Sequence, residues 1–166
     1  MDGIPYFDPL GAAFVGIQPI IHTVDMTVYF ENIMLYDDCV LETVFVQNTP
    51  LVVIGGEPNE FYTLVMFTPK ARDPNEQQFR HHISWIVTNI AGGATSDHGI
   101  EFASYVGPNP EIGIHRYTLL LYKQQAPLND MEPLTSRSFH VDDFANKHNL
   151  EEPVGLAFFN VRKQAD

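Results

Sequence analysis

One cysteine, Cys39, stands among 166 residues, which excludes an internal disulfide and a cysteine-based zinc site. Bases are scarce as well: 9 Lys and Arg face 21 Asp and Glu, for a formal net charge of −12. A surface this acidic repels phosphate backbones and anionic headgroups at long range, so direct nucleic-acid binding is not expected. No apolar run approaches the ~20 residues that a membrane span needs. Residues 1–10 carry neither the basic start nor the apolar stretch of a secretory signal. The sequence also has no G-x-S-x-G, G-x-G-x-x-G, P-loop or H-E-x-x-H signature.

What is present is the composition of a folded chain. Hydrophobic residues make up 45%, with 12 Phe and 7 Tyr, against 18% charged residues. The length suits one domain spanning residues 1–166, the lone cysteine fits a reducing compartment, and a monomer is expected. Alternating, strand-forming segments are expected at residues 24–30, 33–36, 51–54, 61–67, 82–90, 113–124 and 156–161. Residues 68–78 read as a long surface loop and residues 91–99 as a small flexible one. Asp142 is a plausible N-cap for a short helix from Asp143 to about His148. The fold class expected from this pattern is predominantly β.

The central stretch is residues 113–124, Gly-Ile-His-Arg-Tyr-Thr-Leu-Leu-Leu-Tyr-Lys-Gln. Apolar residues on both faces mark a strand in the middle of a sheet. His115, Arg116 and Tyr117 stand at its mouth. His115 and Tyr117 share a face, and two donors beside an aromatic-rich pocket suit a small anion. Arg116 faces away, where an ion pair with an acid of a neighbouring loop is expected. Seven histidines raise the question of a metal, but the adjacent His81 and His82 should point to opposite sides of a strand. The acids near His140 suit a helix start without one, and no metal or other cofactor is expected. A nucleophilic pair of Ser84 and His115 would need a third group to orient the base, and the sequence identifies none.

Residues 113–117, Gly-Ile-His-Arg-Tyr, are similar to the G-[IL]-H-R-[YF] signature of the phosphatidylethanolamine-binding protein family. Residues 48–66, 85–90, 105–110 and 144–160 resemble the plant florigen and floral-repressor branch, as does Asp8-Pro9-Leu10. The resemblance implies a large central antiparallel sheet, a smaller flanking sheet and short helices. It further implies a cavity for phosphate or phosphorylated headgroups.

Against that expectation the anion site is altered. Thr68 stands where the resemblance implies an aspartate, Lys70 where a second acid is common, and Ser84 where a histidine precedes the tryptophan. Each charge-assisted contact so removed is worth ~1.5–3 kcal/mol, and two losses weaken phosphate binding roughly a hundredfold or more. The degenerate pocket is accordingly expected to comprise His115, Tyr117, Ser84, Thr68, His82, Phe79 and Pro69, with Lys70 and Arg72 as candidates for compensation. His82 occupies the position that separates promoters from repressors of flowering and resembles the repressor side. The residues that dock 14-3-3 adaptors are replaced at Asn59, Ala91 and His98.

The function expected is that of a non-enzymatic scaffold working through protein partners in signalling, in the cytoplasm and extending to the nucleus. The alternatives are a structural subunit of a larger assembly, of mitochondrial-ribosome type, and a residual hydrolase using Ser84 and His115.

Overall fold

The structure is a computed structural model that describes residues 23–70 and 80–165. Two sheets face each other. In the smaller, β1 (Met26–Phe30) pairs antiparallel with β2 (Ile33–Met34) and with β4 (Leu51–Ile54). The hairpin turns at Glu31-Asn32, where Glu31 takes a positive φ of 55°, as the expected pairing of residues 33–36 with the preceding strand requires. Leu51–Ile54 alternates between exposed and buried positions. It is half-buried and not, as its apolar run suggested, buried throughout.

The larger sheet holds β3 (Val40–Glu42), β5 (Phe61–Pro69), β6 (His81–Ala91), β7 (Ile100–Ala103), β8 (Gly113–Lys123), β9 (Ser138–Phe139) and β10 (Pro153–Lys163). Its order is β3-β10-β8-β5-β6-β7, with β9 beside the start of β6. The expected antiparallel sheet is therefore mixed, because β3 runs parallel to β10. β8 lies in the interior of the sheet, paired on one side with β10 and on the other with β5. Pro153 opens β10, a position where its missing N–H costs no ladder bond.

β8 divides its side chains as the alternation predicted. Tyr117, Leu119 and Leu121 enter the core between the two sheets, together with Val28, Phe30, Trp85 and Phe159. Leu120 and Tyr122 enter a second core on the opposite face, closed by Val141, Phe144 and Ala145. Full burial of each large apolar side chain contributes about 1.5–3 kcal/mol.

The helix α1 (Val141–Lys147) starts earlier than expected, and its N-cap is His140, not Asp142. The Asp142 N–H donates to His140 Nδ1 at 3.1 Å, and the Val141 N–H donates to His81 Nδ1 at 3.2 Å. Two imidazoles thus take the first amides, and Asp142 and Asp143 fall in the first turn. Residues 68–69, assigned to a loop by sequence, continue β5. Residues 91–99 contain a 3-10 turn, Ser96–His98, whose buried Ser96 hydroxyl accepts from the Val52 N–H at 2.9 Å.

Candidate functional site

Gly113 enters β8 with φ at 123°, a conformation that side chains with a Cβ rarely adopt. This turn brings the 111–113 loop back over His115, whose Nε2 lies 2.9 Å from the Glu111 carbonyl. A carbonyl only accepts, so Nε2 carries a proton in that contact, and Nδ1 is the ring nitrogen left for another partner. His115 is half-buried.

Arg116 points to the other face, as expected. Its guanidinium meets the Asp38 carboxylate at 2.7 Å and lies over the Phe158 ring, 4.8 Å from the centroid. Asp38 belongs to the turn that precedes β3 and is also bonded by the Asn160 amide at 2.8 Å. The ion pair with a neighbouring-loop acid is the one expected from sequence.

Tyr117 is buried and stacks on Phe159 with ring centroids 5.9 Å apart. Burial pushes its phenol up to about 12. Burial and the nearby Tyr117 also push up the phenol of Tyr105, whose hydroxyl donates to the Val46 carbonyl at 2.6 Å. Tyr105 packs edge-on against Trp85. Residue-by-residue reasoning did not single out Tyr105, because it lies past the end of β7 in an irregular segment with no alternation to mark it.

Thr68 and His82 are register partners across β5 and β6. The Thr68 hydroxyl donates to the Arg116 carbonyl at 2.7 Å, between His115 and Tyr117 in the chain. Thr68, His82 and the 115–117 segment are thus gathered at one end of the sheet, with Pro69 opposite His81 in the same ladder. The His82 imidazole is held below its usual value by partial burial and then by the charges of Arg137 and Lys70. Lys70 donates to the Ser138 hydroxyl at 3.0 Å. His81 is wholly buried against Phe67 while His82 is exposed, which satisfies the expected opposition of the two rings.

Ser84 departs from the alternation. The ladder steps from Met66 opposite Trp85 to Phe67 opposite Ile83, which leaves Ser84 in a bulge. Ile83 consequently joins Ile86 in the helix-side core and not Trp85 in the inter-sheet core. Ser84 is buried, and its carbonyl takes the Val106 N–H at 2.9 Å and the Arg137 guanidinium at 3.3 Å. Phe79 and Arg72, also expected near the pocket, lie outside the described residues. Among the described residues no three His, Cys, Asp or Glu side chains come close enough to hold a metal ion, and no helix is long and apolar enough to cross a membrane.

Comparison with known proteins agrees with this arrangement. The family described as phosphatidylethanolamine-binding protein matches residues 45–159. Protein MOTHER of FT and TFL1 homolog 2 of rice (Oryza sativa subsp. japonica) is 35% identical over 151 residues, covering 89% of this chain and 87% of its own. Protein FLOWERING LOCUS T of Arabidopsis thaliana is 36% identical over 121 residues, or 72% of this chain and 69% of its own. Among solved structures, a carboxypeptidase Y inhibitor complexed with its cognate proteinase superposes with a TM-score of 0.71 at 18% identity, over 87% of this chain and 85% of its own. A phosphatidylethanolamine-binding protein of Plasmodium falciparum gives 0.69 at 18%, over 96% of this chain and 98% of its own. These two likenesses concern the fold. With a family match across most of its length and relatives above 30% identity, the chain belongs to the phosphatidylethanolamine-binding protein family.

Proposed function

We propose that this chain is a non-enzymatic binding protein that regulates signalling through protein partners, and that its anion pocket binds phosphate and phosphorylated headgroups weakly or not at all. The observation that carries the second half is the use of the pocket's polar groups on the protein's own backbone. The Thr68 hydroxyl is given to the Arg116 carbonyl and His115 Nε2 to the Glu111 carbonyl. With Nε2 given to that carbonyl, only Nδ1 of His115 is left for an incoming phosphate oxygen.

The first half rests on kinship with plant proteins such as FLOWERING LOCUS T, TERMINAL FLOWER 1 and CENTRORADIALIS. The nucleophilic alternative is disfavoured because a serine needs a base within about 3 Å and an orienting third group, while β5 lies between the strands that carry Ser84 and His115.

Isothermal titration with phosphoethanolamine and a phosphoserine peptide tests the pocket. The expected result is no micromolar binding to either. Micromolar binding that His115→Ala abolishes overturns the reading. Affinity capture with the full chain should return protein partners whose retention is indifferent to His115→Ala.

A further inference from the structure

The smaller sheet turns one face to the core and the other outward. Val28, Phe30, Val52 and Ile54 enter the core between the sheets, so alternation sends Thr27, Tyr29, Leu51 and Val53 to the opposite face. The ladders set Met34, Tyr29 and Leu51 in one row across β2, β1 and β4, with Thr27 beside Val53 two residues along. Directly paired side chains stand about 4.5–5.5 Å apart, so these residues form one continuous, largely apolar surface. Met34 is 59% exposed, Leu51 40% and Val53 37%. Contiguous exposure of this kind marks a site of association, unlike a scatter of single apolar residues.

The charge around the patch has one sign. All nine Lys and Arg of the chain lie from residue 70 onward, whereas residues 23–69 hold seven acids and no histidine. Three of those acids already meet cations of the larger sheet: Asp38 with Arg116, Glu42 with Arg162 and Glu60 with Lys123. Asp25 and Glu31 have no ion pair among the described residues, and they precede and follow β1 at the two ends of the patch. Six strand steps set them about 20 Å apart.

We propose that the outer face of the smaller sheet docks a basic amphipathic helix of a protein partner, its apolar side on Met34, Tyr29, Leu51 and Val53 and its Lys or Arg toward Asp25 and Glu31. This rests on the reading that the chain works through protein partners. The dimensions fit. Three strands span about 10 Å from β2 to β4, which is the width of a helix, and ~20 Å of its length takes about 13 residues. An added strand is disfavoured, because β2 offers only two residues at its edge and Val53 of β4 is bridged to Thr95. A second copy would set acids against acids, and residues 1–22 hold Asp2 and Asp8 with no Lys or Arg. Nucleic acid and anionic membranes are opposed by the same repulsion.

The test is an amide-resolved NMR titration of the full chain with a synthetic helix of about 14 residues, Leu on one face and Lys on the other. A Leu–Glu peptide and a Lys–Ser peptide of the same charge as the first are parallel arms. Saturable shifts are expected at Thr27, Tyr29, Leu51 and Val53, with binding at least about tenfold weaker in both other arms. Leu51→Lys and Met34→Lys, at exposed positions, should each weaken the Leu–Lys peptide about tenfold, and Ile100→Lys, the same charge change at an exposed position of β7, less than about twofold. Four results overturn the proposal: no shift at these residues, an equal response to the Lys–Ser peptide (charge attraction only), equal losses in Ile100→Lys and Leu51→Lys, or a dimer of the unaltered chain that Leu51→Lys dissociates. Should either sheet variant fail to fold, the three peptide arms on the unaltered chain still decide. None of these results removes partners found by affinity capture, so this surface and the signalling reading fall separately.

Discussion

The two ends of β8 hold their polar groups in opposite conditions. At the entry, His115, Arg116 and the neighbouring Thr68 are each committed to a partner: the Glu111 carbonyl, the Asp38 carboxylate and the Arg116 carbonyl. At the exit, the buried Tyr122 hydroxyl has no hydrogen-bond partner among the described residues, and burial pushes up the Asp142 carboxyl of the helix packed on that face. The entry carries the family signature, yet the Thr68 hydroxyl and His115 Nε2 are committed to the protein's own carbonyls. The exit carries no signature and keeps an unspent hydroxyl. A signature alone does not make a binding site, because a group already paired must first be released before it can bind.

The sharpest way to break that comparison is to truncate within the entry itself. Tyr117 is a core residue stacked on Phe159, whereas His115 is half-buried and bonded to a loop. Tyr117→Ala should cost about 3–5 kcal/mol of stability by urea denaturation, and His115→Ala about 1 kcal/mol or less. Comparable losses would make His115 part of the core and remove the distinction between wall and mouth.

Restoring charge to the entry tests the proposed weakness of its phosphate binding. Thr68→Asp combined with Ser84→His replaces two contacts of ~1.5–3 kcal/mol each, and phosphate affinity measured by titration should rise about a hundredfold. An unchanged affinity would place the defect outside these two positions, for instance in the loop that holds His115. A smaller effect is expected from Arg116→Met, which keeps the stem over Phe158 and removes the bond to Asp38. Asp38 is mostly exposed and retains the Asn160 amide. The loss in urea denaturation should therefore be only about 1–2 kcal/mol.

How much of this was readable beforehand depended on length and regularity. The strand containing Leu119 to Leu121 was placed on the correct faces because an unbroken period of two leaves no freedom. The short strands β3, β7 and β9 were not anticipated. Three residues such as Val40-Leu41-Glu42 make no periodic signal, and their extended form comes from pairing with β10.

The bulge at Ser84 broke the alternation in the middle of β6, which moved Ile83 to the opposite core from Trp85. Sequence spacing does not report a register shift imposed by the partner strand. His140 was passed over as a cap because histidine is not among the favoured N-cap residues. It serves here because its Nδ1 accepts. Tyr122 read as one more strand residue, and only the lack of a partner for its buried hydroxyl among the described residues distinguishes it.

The smallest effect separates the two ends by the sign of their response to acid. His148 beyond α1 and, more weakly because it is exposed, His82 at the entry are held below the ordinary histidine value by partial desolvation, His82 also by the charges of Arg137 and Lys70. The unfolded chain then binds more protons than the folded one as pH falls past about 6.5. Stability contributed by these neutral imidazoles is present above that pH and is lost as pH falls through the depressed folded values.

Asp142 at the exit is raised, again by burial first. Its folded form takes up a proton before the unfolded chain does, so its contribution increases as pH falls toward about 4. Thermal melts should therefore drop modestly from pH 7.5 to 5.5 and flatten below that. His82→Gln should shrink the drop, and Asp142→Asn should remove the flattening without altering the drop. If His82→Gln left the upper window unchanged, the acid sensitivity would belong to His148 and the helix side alone. The two ends of β8 would then differ in their partners but not in their response to protons.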